Sequence, residues 1–572
     1  MDVEDIRAVV AIGKCENKNK LELDFGTTYS GFAYAHRANP EIETNGRWPG
    51  REGLPKTNTA LRYEYDPETG SLSIAAWGEP ALVQTPEKKK KANAGKKEIY
   101  SVELFKLHLT EMSNKPSLPA GMNYKKPICD YLSCMNKLIK ETIEKTWPGM
   151  RSSQILYVMT IPAEWKENTK VIMRECAHAA GIIETADSKR LEFTSEPEAA
   201  AMHCLNVVEE HKLKTGDSFL VVDCGGGTVD LTTRTINNNN KLGEITERTG
   251  DLCGATFIDL EFLKYLGKLL GFSALEKVKT EHYGQLQYLI QKFFCPRVKY
   301  MFDGNADTFK PIDLDLEHYC PALMKYVTGE NKEKMEQEDW LIELDFESVK
   351  SMFDPVVAKV IKLISNQLKA AESVKSPSAM FLVGGFSESV YLRNRIKESF
   401  ASKVPIIAEP RQPMGAVLKG AVAYGLNMEA VETRILKWSY GIEVLVEWDP
   451  SEDPFERRTF EGRVHRFQKL AERRTQVKVD KEFSGEFKPV YPDQTSASFK
   501  VYYSENSPRY CDEPGVCFLG KLQIDLPDTY LGINRPIEFS LTFGKMELKA
   551  SAHNKTTGQM YHTSWTMNNF VN

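Results

Sequence analysis

Residues Ser218–Ile236 read SFLVVDCGGGTVDLTTRTI, and this stretch decides the fold. An apolar, β-branched run leads to Asp223, Gly225, Gly226, Gly227 and Thr228 follow, and a second strand-like run begins beside Asp230. Successive glycines let backbone N–H groups converge on an anion with no side chain in the way. Threonine hydroxyls add donors. Two aspartates would repel a phosphate placed there alone. They make sense around a hard divalent cation, because Mg²⁺ keeps several waters and is held by one or two carboxylates plus phosphate oxygens.

Residues Leu21–His36, LELDFGTTYSGFAYAH, follow the same order: strand, Asp24, Gly26, Thr27, Thr28, Tyr29, strand. Two such hairpins facing each other across a nucleotide–Mg²⁺ complex account for both stretches together. A third glycine pair, Gly384-Gly385 in AMFLVGGFSESVYLRNRI, ends an apolar strand and enters a helix, a turn against which the flat ring of an adenosine lies close. The pattern GxxxxGK[ST] is absent, so this is not the P-loop solution, and neither HExxH nor GxSxG occurs.

The remaining chain sets bounds. Its 572 residues are 41% hydrophobic and 27% charged with net charge −5, a balance without the basic excess that nucleic acid or anionic membrane would need. No apolar run is long enough for a bilayer. The N-terminus MDVEDIRAVV carries acids where a secretory signal needs bases. The 11 cysteines are scattered without CxxC pairs, which predicts reduced thiols, Cys511 and Cys517 included, and a cytoplasmic location. For the same reason the Asn554-Lys555-Thr556 sequon is expected to stay unmodified. The segment Glu87–Lys97, with Lys88–Lys91, reads as a solvated loop.

Up to about Met428, β-like runs alternate with helical stretches, the pattern of an α/β protein. Leu132, Met135, Leu138, Ile139 and Ile143 share one helix face, as do Val356, Val360, Ile361, Ile364 and Leu368, and both stripes predict core contacts. After Trp438 the period becomes two: Phe499, Val501, Tyr503, then Leu522, Ile524, Leu526, then Phe539, Leu541, Phe543. A turn at Gly544-Lys545 is expected before Met546, Leu548 and Ala550 resume. This predicts a compact antiparallel β domain with a boundary near Val431–Trp438.

These residues resemble the 70-kDa heat-shock protein family of the actin-like ATPase superfamily. DFGTTYSGFAYA is similar to its first phosphate loop, DCGGGTVDL to its second, TSEPEAAAMHCL to its interlobe segment and GDLCGATFIDLEFL to a further glycine segment. DCGGGTVDLT, LVGGFSES and LKGAVAYGL are most like its divergent 12A/12B-like members. The resemblance implies an α/β fold: a two-lobed actin-like ATPase domain over residues 18–432, each lobe a sheet with flanking helices and the second lobe about 215–385. A C-terminal antiparallel β domain over 437–572, without a helical lid, would follow. It implies ATP or ADP with Mg²⁺ as ligands, slow ATP hydrolysis, and a polypeptide client or partner protein, with co-chaperones as further partners. Asp24 and Asp223 would position the metal through water; Glu196 and Asp230 would place the attacking water. Gly26, Thr27, Thr28, Tyr29, Gly225, Gly226, Gly227 and Thr228 would line the phosphates. Gly254, Arg297, Lys299, Gly384 and Gly385 would complete the nucleotide site.

The departures bear on rate and coupling. Leu82 in WGEPALVQ stands where typical members place a lysine for phosphoryl transfer, with Lys106 as the nearest substitute. Glu388 replaces an arginine expected against adenine, and Pro296 interrupts the helix that carries Arg297 and Lys299. The linker NMEAVETRILKWSYGIEV lacks the leucine run that typical members dock between lobes. The alternatives are a nucleotide-sensing scaffold with negligible turnover, which Leu82 and Glu388 favour, and a small-molecule kinase of the same fold.

Overall fold

The computed structural model describes residues 19–82, 98–112, 115–208, 210–543 and 545–563. The N-terminal acids, the Lys88–Lys91 run, Gly544 and the last nine residues lie outside this range.

Two mixed sheets share one construction. In the first, Asn19–Asp24 turns back antiparallel as Tyr29–His36, and Ile155–Ile161 lies parallel to its other edge, followed by Leu191–Ser195. In the second, Ser218–Cys224 turns back as Val229–Ile236, with Ala379–Val383 parallel on the other side. Each hairpin thus carries an aspartate at the top of its first strand. The central strands are mostly apolar because both faces are covered: all seven residues of Ile155–Ile161 and of Ser218–Cys224 are buried.

The helices cover these faces with the expected stripes. Leu132, Met135, Ile139 and Ile143 of Lys125–Thr146 are buried, with Leu138 at the margin. Val356, Val360, Ile364 and Leu368 of Phe346–Glu372 enter a separate core beneath the second sheet. Residues after Ser439 form two four-stranded antiparallel sheets, ordered 463–471, 439–447, 496–504, 516–525 and 481–487, 537–543, 549–554, 560–563. They enclose a third core in which Phe499 and Phe539 stack with centroids 4.6 Å apart.

Two expectations need correction. The strand after the C-terminal hairpin starts at Lys549. Residues 545–548 form a loop that docks on the first sheet's layer: Met546 joins its core, Lys170 donates to the Met546 carbonyl at 2.6 Å, and Arg174 grips Glu547 through two bonds. The alternation of Met546 and Leu548 therefore reflects burial against a second body, not a strand. The linker also docks despite its missing leucines. Val431–Ile435 is a strand of the second sheet, parallel to Leu242–Glu244, and Gln476–Lys478 pairs on its far side. Ile435, Leu436 and Trp438 supply the apolar burial.

The sulfurs behave as read: each of the ten described cysteines is free, Cys511 and Cys517 among them. Asn554 is buried, and its Oδ1 accepts from the Thr556 and Thr557 amides. Among the described residues no helix is long and apolar enough to cross a membrane.

Candidate functional site

A cavity of about 420 Å³ lies where the two hairpin turns face each other. The first turn is tight because Gly26 has no Cβ; one added there would lie 2.0 Å from the Tyr29 carbonyl oxygen. Thr59 secures this turn, donating from Oγ1 to the Gly26 carbonyl at 2.8 Å and sharing a 2.7 Å bond with Ser30. The second turn is tied from behind. Gly254, Ala255 and Thr256 donate their amides to the carbonyls of Gly227, Gly225 and Gly226 at 3.2, 3.1 and 2.8 Å. With its carbonyls so occupied, the Gly226 and Gly227 amides have no protein acceptor among the described residues. That is the arrangement of an anion nest.

Carboxylates stand at the stems of both turns. Asp24 accepts from Thr160 Oγ1 at 3.0 Å and from Lys56 Nζ at 2.5 Å. Glu196, at the start of the helix Glu196–Val208, is paired with Lys106 at 2.7 Å. Asp223 lines the cavity and takes no hydrogen bond from a described side chain. Burial, with the charges of Glu196 and Asp230, pushes its carboxyl well above the ordinary range. Burial also raises Glu196 against the opposing pull of Lys106.

Most of the residues singled out in the sequence meet here: Asp24, Gly26, Thr27, Thr28, Tyr29, Glu196, Asp223, Gly225, Gly226, Gly227, Thr228, Lys299, Gly384 and Gly385 all line the cavity. Gly384 has φ +83° and passes so close that a Cβ would lie 2.4 Å from the Cys224 carbonyl oxygen, so only glycine fits. Three residues do not reach the wall. Asp230 is buried behind it, accepts the Ala163 amide at 2.9 Å, and is pushed up to about 7 by burial and Glu196. Gly254 backs the second turn, where a Cβ would meet Gly226 at 2.6 Å. Arg297 points outward, over the rings of Phe293 and Tyr319. Pro296 sits in a helix wound in the wider π form over Ile290–Lys299, and residues two apart there face opposite sides. Lys299 takes the inner side, bound to both oxygens of Asp259 at 2.8 Å.

The remaining wall joins two residues already singled out, Leu82 and Lys106, to groups that no local pattern announced. Leu82 contributes an apolar side chain, and Lys106 reaches the site as the nearest substitute cation. Lys56, Glu103, Asp259, Tyr300 and Arg51 also line it. Glu103, held by Tyr283 Oη at 2.6 Å, is raised to about 7 by burial. Behind Glu196, the fully buried Glu198 is clasped by Arg434 at 2.7 Å and Arg234 at 3.1 Å. Against the cost of burial, these two guanidiniums hold its carboxyl far below the usual range. Glu198 thereby joins the helix that begins at Glu196 to the linker strand.

No family model matches the chain. It is 25% identical to heat shock 70 kDa protein 12A of Mus musculus, over 94% of this chain and 90% of that protein. It is 23% identical to heat shock 70 kDa protein 12B of Homo sapiens, over 95% and 90%. The chaperone protein DnaK of Thermoplasma acidophilum aligns at 24% identity over 50% of this chain and 43% of its own length. With the mixed α/β fold, these matches define the class the chain is similar to, the 70-kDa heat-shock proteins. Within that class its full-length likeness is to the 12A and 12B proteins, while the DnaK likeness covers half of it.

Proposed function

We propose that this protein binds ATP and ADP with Mg²⁺ between the two glycine turns and hydrolyses ATP slowly. Its C-terminal antiparallel sheets would bind a polypeptide or a partner protein. In this reading residues 18–432 are a two-lobed actin-like nucleotide-binding domain, with its second lobe about 215–385, and 437–572 a β-rich binding domain. One observation carries the nucleotide reading: two glycine turns, the second with the Gly226 and Gly227 amides unpaired among the described residues, meet over a row of buried carboxylates. The heat-shock and chaperone names of the relatives support the polypeptide-binding part.

The donor set fits a hydrated magnesium ion. Asp223 borders the cavity with its carboxylate unclaimed, Asp24 retains lone pairs beyond its two bonds, and no cage of three or more ligands exists among the described residues. Mg²⁺ favours this combination of few carboxylates and retained waters. Asp24 and Asp223 would hold it, and when bound it offsets the charge that develops on the phosphates. The protein supplies positioning and fixed dipoles. The Gly226 and Gly227 amides and the Thr27, Thr28 and Thr228 hydroxyls hold the phosphate oxygens. Glu196, steadied by Lys106, orients a water in line with the terminal phosphorus. Asp230 keeps the stem of the second turn in place from behind.

Leu82 favours a second reading, a nucleotide-sensing scaffold. An apolar side chain on that wall leaves developing charge without a donor whose loss, at comparable sites, costs roughly 10²–10³ in rate. Calorimetric ATP binding and single-turnover hydrolysis, on the native protein and Asp223→Ala, decide between the two. Binding with slow turnover abolished by the substitution supports the ATPase. Binding without turnover leaves the scaffold, and no binding ends both readings.

A further inference from the structure

Three cavity carboxylates, Asp24, Asp223 and Glu196, share the wall with two lysines, the buried Lys106 and the partly buried Lys56. The two lysines are held differently. Lys106 is boxed in: it is bonded to Glu196 and lies over the rings of Phe25 and Trp165, 5.8 and 5.3 Å from their centroids. Lys56 stands on the short strand Lys56–Asn58, paired with Tyr29–Gly31 directly beside the first turn. Its ammonium donates once, to Asp24, and no other acceptor is recorded for it among the described residues. An ammonium carries three donors, so two remain for a ligand.

The other cations of the wall are committed elsewhere. Lys299 is bonded to both oxygens of Asp259, and Arg51 lies over the Tyr29 ring with its side chain 27% exposed. Lys56 shares the cavity wall with Asp24, Asp223 and Glu196. Water attack at Glu196 requires the terminal phosphate to approach this same group of carboxylates, bringing negative charge that the two spare donors of Lys56 are placed to meet.

We propose that Lys56 is the specificity residue that distinguishes a nucleoside triphosphate from a diphosphate, its ammonium bridging Asp24 and the terminal phosphate. This rests on the nucleotide reading above. The inner phosphates are held by the glycine turns in either ligand, so the lysine contact belongs to the triphosphate alone.

The test is calorimetric titration of ATP and of ADP, each with Mg²⁺, into the native protein, Lys56→Met, Lys56→Arg and the double variant Asp24→Asn/Lys56→Met. The double variant removes the buried carboxylate that Lys56→Met leaves unpaired, so a folding defect in the single variant does not obscure the result. Losing a charge-assisted contact to the terminal phosphate should weaken ATP binding about tenfold or more, with ADP affected less than about threefold. Lys56→Arg should keep the ATP-to-ADP ratio, and the double variant should lose it. An equal loss for both nucleotides, or an unchanged ratio in Lys56→Met, overturns the proposal. Failure of the native protein to bind either nucleotide is read before any variant and brings down the nucleotide reading itself, and this proposal with it.

Discussion

Thr28 and Gly226 meet across the cavity with no room between them: a Cβ on Gly226 would lie 1.9 Å from Thr28 Oγ1. Gly227 stands in the same relation to Thr27, at 2.7 Å. The two sheets therefore touch through a hydroxyl on one turn and bare backbone on the other.

Gly226→Ala should force the turns apart and weaken ATP binding by at least about tenfold, a shift of about 1.4 kcal/mol. Gly46→Ala is the matched control, since a Cβ there meets nothing within 4 Å. Titration calorimetry on both variants checks the contrast; equal affinities would show that the seam is not part of the ligand site.

Leu82 is buried on the cavity wall. Leu82→Lys should return a donor to the developing charge and raise single-turnover ATP hydrolysis roughly 10–100-fold. Rapid-quench measurement at saturating ATP reads this directly. An unchanged rate would place the slow step somewhere other than phosphoryl transfer.

Burial raises the Glu103 carboxyl from its ordinary value near 4.5 to about 7. A carboxyl whose folded pKa exceeds its unfolded one contributes stability that is complete below about 4.5 and is lost as pH climbs to about 7. At 1.36 kcal/mol per pKa unit the loss is up to about 3 kcal/mol. Urea unfolding at pH 5 and pH 8 should show this decline in the native protein and a flatter profile in Glu103→Gln. Parallel profiles would refute it.

Arg174 and Glu547 join the loop 545–548 to the first sheet's layer by a bidentate bond, with the arginine nearly buried. Arg174→Ala should cost about 1.5–3 kcal/mol, typical of a hydrogen bond to a charged group. Loosening that dock should also speed protease cleavage near the loop. A double-mutant cycle with Glu547→Ala isolates the pair, and additive effects would show that the two residues are not coupled.

The site was legible where its chemistry is local. Asp, Gly and Thr in consecutive positions announce both turns, and period-two alternation announces the C-terminal strands. Lys56 was not legible: its partner Asp24 lies 32 residues away and nothing in PKTNT marks a ligand. Arg297 and Lys299 could not both line the site, because residues two apart on a helix face opposite sides and Lys299 takes the inner one. Met546 imitated a strand position because a second surface, not a sheet, buries it. The linker's docking escaped because Arg434 works through Glu198, 236 residues earlier.

The strand Val431–Ile435 has a practical consequence for dissecting the chain. Its backbone is claimed on both edges, by Leu242–Glu244 and by Gln476–Lys478. A fragment cut before Val431 would bare the edge at Leu242–Glu244, an open template for other chains. A fragment starting at 437 would strand Gln476–Lys478 without the neighbour it zips to. A cut after Lys478 keeps these two strands together but parts 439–447 from 496–504, so no single cut near the linker leaves every strand paired.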